Sequence, residues 1–191
     1  MIAEPNQDPM SVEEYLALDR SSQNARLEYI DGVVTMLAGG TSNHSRISVN
    51  LINQLYMALE EKPCRVFNSD MKVRVSPTRY VYPDVFVSCD ADDLERGDSD
   101  IIQHACMVIE VLSPTTEVYD RIKKFSYYRD CPTIQEIALI STQEIAVDLY
   151  RRANEKLWSL HLFRTDDKVD LRSINVSMPI ATIYKYVTFD K

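Results

Sequence analysis

Hydrophobic residues recur at steps of three and four between residues 44 and 60. The recurring residues are Ile47, Leu51, Ile52, Leu55, Ala58 and Leu59. That spacing predicts an amphipathic helix packed on a sheet. A shorter helix is predicted over residues 11–19, because Ser11 followed by Glu14 forms a capping box. A third helix is expected over residues 117–129, after a Ser-Pro-Thr-Thr stretch that cannot continue a strand.

Short apolar runs between turn residues predict the strands. Residues 26–37 are expected to form a hairpin, with Asp31-Gly32 as its tight turn. Single strands are predicted over residues 66–75, 80–87, 106–112 and 134–140. A second hairpin is predicted over residues 146–163, and a short terminal helix or strand over residues 183–187.

From residue 44 to residue 140, the predicted elements follow the order α-β-β-β-α-β. This order indicates an α/β (α+β) fold with a central mixed sheet. The N-terminal helix plus hairpin and the C-terminal hairpin would flank that sheet. A chain of 191 residues can bury one core, and no repeat or low-complexity linker marks a boundary. We therefore predict a single domain over residues 1–191.

The composition is that of an ordinary globular protein, with 45% hydrophobic and 26% charged residues. No apolar run approaches the ~20 residues of a membrane helix. Residues 1–8 lack the basic start and apolar core of a signal peptide. These features predict a cytoplasmic protein without membrane contact. Neither a zinc cluster nor a disulfide is expected from the four isolated cysteines, Cys64, Cys89, Cys106 and Cys131.

The net charge of -8 argues against indiscriminate nucleic-acid binding, which is mostly electrostatic. Residues 90–100, however, contain six acids and one arginine, so this segment carries -5 and leaves -3 for the rest of the chain. We interpret it as a solvated acidic loop between two strands. It lacks the spaced pattern of a calcium-binding loop.

Two carboxylates lie at the borders of apolar, strand-like runs. Asp84 begins such a run after Pro83, and Glu110 lies within the next one. A carboxylate in such a position costs desolvation free energy unless it is paired. Two close together would favour a divalent cation, which prefers hard oxygen ligands. The structural alternative is that each acid only ends a strand at a solvated loop.

Several motifs together resemble the PD-(D/E)XK nuclease superfamily and, within it, the Uma-type family of restriction endonucleases, which is common in cyanobacteria. The matching residues are Pro83-Asp84, Glu110-Val111-Leu112-Ser113-Pro114-Thr115-Thr116, Asp120, Lys124 and Tyr128, and upstream Leu27-Glu28-Tyr29-Ile30-Asp31-Gly32, His44 and Asp70. The resemblance covers most of residues 11–150. It implies the restriction-endonuclease-like core that the element order also indicates.

The resemblance implies hydrolysis of DNA phosphodiester bonds with Mg²⁺ or Mn²⁺. Asp84 and Glu110 would hold the cation, with the main-chain carbonyl of Val111 as a further ligand. The superfamily's usual lysine lies two residues after the second acid, where this chain has Leu112. Lys124, from the following helix, is the expected substitute in catalysis. The second-tier candidates are Glu28, His44, Asp70, Asp120 and Tyr128.

Most of these residues also have an ordinary structural explanation. Glu28 could lie on the solvent face of the hairpin, and His44 could be a capping or packing group. Asp120, Lys124 and Tyr128 fall four residues apart, so they are expected to share one face of the third helix. Asp120 and Lys124 could form an exposed ion pair there that contributes only ~0.3–0.5 kcal/mol. Tyr128 could position a phosphate or pack against the sheet.

Three functions remain open at this point. The first is a metal-dependent DNA endonuclease, the second a degenerate nuclease fold that binds nucleic acid or protein, and the third a hydrolase of another phosphoester. Cutting both strands of a duplex requires two active sites, so a twofold homodimer acting on DNA is expected. Residues 146–163 and the C-terminal segment are the candidates for the dimer contact.

Overall fold

The computed structural model describes residues 9–22, 25–37, 39–95, 97 and 99–189. The helices are α1 (Val12–Ser21), α2 (Ser42–Ala58), α3 (Ala91–Leu94), α4 (Glu117–Tyr119), α5 (Phe125–Asp130) and α6 (Ile180–Ile183), with a π-turn at Asp120–Lys124 and a 3-10 turn at Arg172–Ile174. The strands are β1 (Leu27–Ile30), β2 (Val33–Met36), β3 (Arg65–Asn68), β4 (Lys72–Ser76), β5 (Arg79–Val81), β6 (Val85–Ser88), β7 (Ile101–Ile102), β8 (Ala105–Leu112), β9 (Glu136–Ser141), β10 (Val147–Arg152), β11 (Trp158–Phe163), β12 (Lys168–Leu171) and β13 (Val176–Pro179). Among the described residues, every helix is too short or too polar to span a membrane.

The larger sheet has six strands in the order β11-β10-β9-β8-β6-β3. Strands β8 and β9 run parallel, and the other neighbours run antiparallel. Helix α2 packs on one face through Ile47, Leu51 and Leu55. The composite helix, which is α4, the π-turn and α5 (residues 117–130), covers the other face with Tyr128. The path α2-β3-β6-β8-composite helix-β9 confirms the predicted α-β-β-β-α-β order.

Two of the predicted strands are each divided between two sheets. The strand expected over residues 66–75 becomes β3 and β4, separated by a turn in which the N–H of Met71 donates to the carbonyl of Asn68. The strand expected over residues 80–87 becomes β5 and β6, because Pro83 has no N–H to continue the ladder. Strands β4 and β5 join β1, β2 and β7 in a second sheet, whose order is β2-β1-β5-β4-β7.

The N-terminal helix and hairpin form as predicted. Ser11 caps α1, and its capping box with Glu14 is complete. The hairpin turn has positive φ at both central residues, +49° at Asp31 and +96° at Gly32, which the type I′ turn of a two-residue hairpin requires. Helix α1 packs on the second sheet, with the ring of Tyr15 stacked 4.9 Å from that of Tyr29.

The C-terminal part contains the predicted hairpin but not the terminal element expected over residues 183–187. Strands β10 and β11 pair over their full length, with β11 at the edge of the larger sheet. The terminal element is α6, which ends at residue 183, where the sequence suggested that an element would begin. Strands β12 and β13 form a further hairpin that the sequence pattern did not indicate.

The prediction of no disulfide is wrong, because Cys64 and Cys89 are joined. Arg65 pairs with Ser88 in the β3–β6 ladder, so the two cysteines lie opposite each other just beyond it. The free thiol of Cys106 lies 3.7 Å from the Cys89 sulfur.

The acidic segment is only partly the solvated loop that we expected. It contains α3 and ends close to β7, and its Asp93 is buried. The Asp93 carboxylate accepts hydrogen bonds from the Ser88 hydroxyl and from the His104 backbone. Arg96 and Asp98 lie outside the described residues.

Candidate active site

A cleft of about 180 Å³ opens where β8 ends and β6 begins. It is lined by Arg26, Leu37, Gly39, Gly40, His44, Ser69, Tyr82, Asp84, Glu110, Val111, Ser113, Thr116, Tyr119, Asp120 and Lys124. These residues come from β8, from α2, from the composite helix and from loops that adjoin the two sheets. Most of the predicted site residues are thus gathered in one place.

Asp84 stands at the point where the chain enters β6. Its Oδ2 accepts the backbone N–H of Val111 at 2.8 Å and lies 3.1 Å from Nε2 of His44. Strands β6 and β8 are neighbours, and Val85 pairs with Ile109. Asp84 therefore lies beside Glu110, and both carboxylates line the same cleft.

Glu110 is a buried acid in the middle of the larger sheet, with 2% of its surface exposed. Its Oε1 accepts a hydrogen bond from the hydroxyl of Tyr128 and lies 3.0 Å from Nζ of Lys124. Burial raises the pKa of Glu110 to about 8. Lys124 opposes that shift, whereas the negative charges of Asp84 and Asp120 add to it.

Lys124 is buried between two acids, with 4% of its surface exposed. Its Nζ lies 3.0 Å from Glu110 Oε1 and 3.0 Å from Glu28 Oε1. Burial alone would lower the pKa of Lys124, but the charges of Glu110 and Glu28 outweigh burial and raise it well above the usual value. The side chain is therefore held as an ammonium ion. The structural alternative of an exposed ion pair with Asp120 is wrong.

The π-turn helps to explain the burial of Lys124. Asp120 and Lys124 are its first and last residues, and both side chains are buried. A π-turn accommodates an extra residue and is frequent at functional sites. Tyr128, one turn later in α5, is also buried, so the predicted common face of these three residues is present. Asp120 lines the cleft, and burial raises its pKa.

Glu28 belongs to the smaller sheet and reaches the site across the space between the sheets. Its side chain is 1% exposed, and its Oε1 accepts the backbone N–H of Tyr82 at 3.0 Å. The carbonyl of Tyr82 lies 3.4 Å from Lys124 Nζ. The alternative of an acid on the solvent face of the hairpin is thus wrong, because the second sheet turns this face inward.

His44 lies in the first turn of α2, where its backbone N–H donates to Thr41 Oγ1. Its ring is fixed between Asp84 and the backbone of Gly40. A Cβ atom at Gly40 would lie 2.7 Å from His44 Nδ1, so only glycine fits without moving the ring. Burial lowers the pKa of His44, but the hydrogen bond to Asp84 and the negative charges of Asp84 and Asp120 together outweigh it and leave that pKa raised. The His44 side chain therefore pairs with Asp84 at the cleft and does not serve only to cap the helix.

Asp70 is the one candidate that the structure separates from the site. It lies in the turn between β3 and β4, and its side chain is 64% exposed. Its Oδ1 accepts a hydrogen bond from Arg26 at 2.6 Å. It does not line the cleft formed by the described residues. Asp70 therefore orients Arg26, which is at the cleft and which the sequence pattern did not suggest.

A second buried charge cluster lies behind the site. Lys72 Nζ lies 2.7 Å from Asp19 and 2.6 Å from Asp100, and the hydroxyl of Tyr82 donates to Asp19 at 2.7 Å. These contacts fix Tyr82, whose backbone binds both Glu28 and Lys124. The alternation of basic residues and valines from Lys72 to Val75 did not indicate that Lys72 would be buried in an ion-pair cluster.

The donor atoms at the cleft suit a hard divalent cation. The carboxylates of Asp84, Glu110 and Asp120 line the same wall, and their mutual repulsion contributes to the raised pKa of Glu110. Among the described residues, no three acidic, histidine or cysteine side chains form a ready-made metal-binding group. Glu110 is paired with Lys124 instead. The residues present fit Mg²⁺ or Mn²⁺, provided that Glu110 changes partner.

The six-stranded sheet and the acids at its strand ends define a protein of the restriction-endonuclease-like fold. The structure is similar to the crystal structure of "a putative nuclease belonging to DUF820" from Anabaena variabilis, with a TM-score of 0.75 and 20% sequence identity. The match covers 94% of this chain and 100% of the other. It confirms the predicted fold.

The chain belongs to the family described as "Uma2: Putative restriction endonuclease", whose model matches residues 12–181. It is 37% identical over 181 residues to the "Uncharacterized protein slr1290" of Synechocystis sp., covering 94% of each chain. It is 28% identical over 152 residues to the "Uncharacterized protein sll1609" of the same organism, covering 79% of this chain and 85% of the relative. The family predicted from the motifs is confirmed.

Proposed function

We propose that this protein is a metal-dependent endonuclease that hydrolyses phosphodiester bonds of DNA. The observation that carries the proposal is the position of Lys124, which is buried as an ammonium ion between Glu110 and Glu28 at the wall of the cleft. Burying a lysine between two acids costs desolvation free energy that the ion pairs do little more than offset, so stability alone does not explain its presence here. Membership of the family and the fold support the same class of function.

Asp84, Glu110 and the main-chain carbonyl of Val111 would hold Mg²⁺ or Mn²⁺. In an extended strand, the N–H and C=O of one residue point to the same side. The N–H of Val111 points at Asp84, so its carbonyl faces the same side of β8. A bound cation would polarise a phosphate oxygen and lower the pKa of an attacking water.

Lys124 would act as a positive charge rather than as a base. Its raised pKa keeps it protonated, so it can donate hydrogen bonds to water or phosphate and offset the charge that develops in the transition state. Asp120 and Glu28 would keep the ammonium group near the cleft. Tyr128 would orient the Glu110 carboxylate.

Calorimetric titration with Mn²⁺ tests the metal site. Asp84→Asn and Glu110→Gln each remove a negative charge from the cleft, so we expect each to abolish binding. Asp70→Asn is the matched control, because it removes a nearby charge that does not line the cleft. Unchanged Mn²⁺ affinity in both site variants, or an equal loss in the control, would contradict the proposal.

Cleavage is tested separately with supercoiled plasmid and Mn²⁺. The parent protein should nick or linearise the plasmid, and the Glu110→Gln variant should not. A parent that binds Mn²⁺ but cleaves no DNA would favour the second candidate, a nuclease fold retained for binding. The net charge of -8 is the observation that favours this candidate.

We further propose that two copies form a homodimer through strand β11. This strand is an edge of the larger sheet. Edge strands are usually protected from pairing by charged residues or proline, and this strand contains neither lysine, arginine, aspartate, glutamate nor proline. Leu160 and Leu162 lie on one of its faces and are largely exposed. An antiparallel twofold pairing would pair the free backbone groups of this edge and place the leucines of the two copies next to each other. Light scattering that gives a monomer at working concentrations would refute the dimer.

A further inference from the structure

Tyr119 is a cleft residue that makes none of the usual contacts of a buried tyrosine. It is the last residue of α4 and lines the cleft together with Glu110 and Lys124. Its side chain is 38% exposed. Within the described residues, no hydrogen bond, ring stacking or cation-π contact involves it, whereas Tyr128 and Tyr82 each donate a hydrogen bond to a buried acid.

The hydroxyl of Tyr119 is a neutral hydrogen-bond donor. Burial and then the nearby charge of Glu28 raise its pKa to about 12, so it keeps its proton under all ordinary conditions. One side of the residue therefore offers an O–H donor at the wall of the cleft. The exposed ring offers an apolar face on which a planar group can stack.

The two cations that line the cleft, Arg26 and Lys124, are both engaged by acids of the protein. Arg26 binds Asp70 at 2.6 Å. Lys124 lies 3.0 Å from Glu110 and 3.0 Å from Glu28. Binding to duplex DNA depends mainly on free lysine and arginine side chains that replace counterions on the phosphates. This cleft offers few of them, in a chain whose net charge is -8.

We propose that Tyr119 is a substrate-contacting residue and that the cleft takes an unpaired DNA strand. This inference rests on the proposed nuclease function and adds the form of its substrate. A base that is free of its partner can leave the stack and lie on the Tyr119 ring, while the phenol O–H donates to a neighbouring phosphate. Stacking of unpaired bases on aromatic side chains is the general way in which proteins bind single strands without a strong positive field.

The test compares the binding of two labelled oligonucleotides, a single strand and the duplex of the same sequence, by fluorescence anisotropy. Measurements in the Glu110→Gln background prevent cleavage during the titration. We expect the single strand to bind more tightly than the duplex. Tyr119→Ala should weaken single-strand binding about 10- to 100-fold, as expected for losing one base–aromatic stack. It should change duplex binding less than about twofold, since phosphate contacts dominate there.

Two further variants separate the ring from other effects. Tyr119→Phe keeps the ring and should retain most of the affinity for the single strand. Tyr56→Ala removes another exposed tyrosine, on the outer side of α2 and away from the cleft, and should have no effect. Thermal melting of each variant should match the parent, because Tyr119 and Tyr56 are both partly exposed. Equal losses in Tyr119→Ala and Tyr56→Ala would overturn the inference.

The outcomes also distinguish this inference from the proposed function. Plasmid cleavage by the parent with no effect of Tyr119→Ala on single-strand binding would leave the nuclease proposal standing and remove the inference. Single-strand binding that depends on Tyr119, without cleavage of any DNA, would support the inference as a binding property and remove the catalytic proposal. A parent that does not bind the single strand at all would overturn the inference.

Discussion

Replacing Lys124 by methionine should cost far more stability than an ordinary lysine substitution. Lys124→Met keeps the length of the side chain but leaves Glu110 and Glu28 without their shared positive charge. Both acids are almost fully buried, so water cannot replace the lost partner. The variant must then either keep a buried charge or bind a proton.

The expected size follows from the two contacts. At 3.0 Å, each Lys124–carboxylate pair is worth about 5 kcal/mol of Coulomb energy with an effective dielectric constant of about 20. The desolvation of the ammonium offsets much of this sum, and breaking buried pairs costs about 3–5 kcal/mol in practice. For a chain of this size, that corresponds to a drop in Tm of roughly 6–20 °C.

The loss should grow with pH. Burial already raises the pKa of Glu110 to about 8. The folded protein therefore holds a proton that the unfolded chain releases above its ordinary pKa of about 4.3, and stability falls as pH rises between these values. Without Lys124, which lowers the pKa of Glu110, this fall continues to a higher pH. The deficit of the variant should be small near pH 5 and largest above pH 8.

Urea unfolding of the parent and of Lys124→Met at pH 5 and at pH 8.5, without divalent cations, gives the measurement. Lys123→Met is the matched control, because this neighbouring lysine is exposed and should change stability by less than about 0.5 kcal/mol. A deficit in Lys124→Met below about 1 kcal/mol at pH 8.5, or one that shrinks as pH rises, would refute the buried acid–lysine–acid arrangement.

Two further outcomes are expected at the same site. Gly40→Ala should push the His44 ring away from Asp84, because the new Cβ would lie 2.7 Å from Nδ1. The imidazole pKa measured by NMR titration should then fall, since Asp84 raises it. Gly39→Ala is the control: its Cβ would have no atom within 4 Å, so that pKa should not change. Tyr128→Phe should move the midpoint of the pH profile of Mn²⁺ binding upward, since the Tyr128 hydrogen bond lowers the pKa of Glu110 and the ion requires a carboxylate; a midpoint that stays or moves downward would contradict this role.

The helices and the central strand order could be predicted because they depend on local patterns. The apolar steps of α2 and the capping box of α1 are properties of adjacent residues. Asp84 and Glu110 come together because β6 and β8 pair as antiparallel neighbours, and the sequence placed each acid on one of two consecutive strands. Lys124 followed from its four-residue spacing with Asp120 and from the family motif.

Other features depend on how distant segments pack, and the sequence pattern carries no signal for them. The burial of Glu28 requires a second sheet, which forms only because two predicted strands are divided at Pro83 and after Asn68. The Cys64–Cys89 disulfide depends on the β3–β6 register. Asp70 matched a family position, yet it lies in the solvent-exposed loop after β3. Its carboxylate therefore binds Arg26 and does not line the cleft.

Within the composite helix, the number of residues matters more than the identity of several of them. A π-turn holds one residue more than an α-turn, so deleting one residue between Asp120 and Lys124 would convert it to an α-turn. The spacing between these two buried side chains would then fall from four residues to three, although every side chain of the site would still be present in the sequence. Ile122 and Lys123 face solvent and can vary freely. Natural variants and engineered libraries should therefore accept substitutions at Ile122 and Lys123 more readily than an insertion or deletion between Asp120 and Lys124.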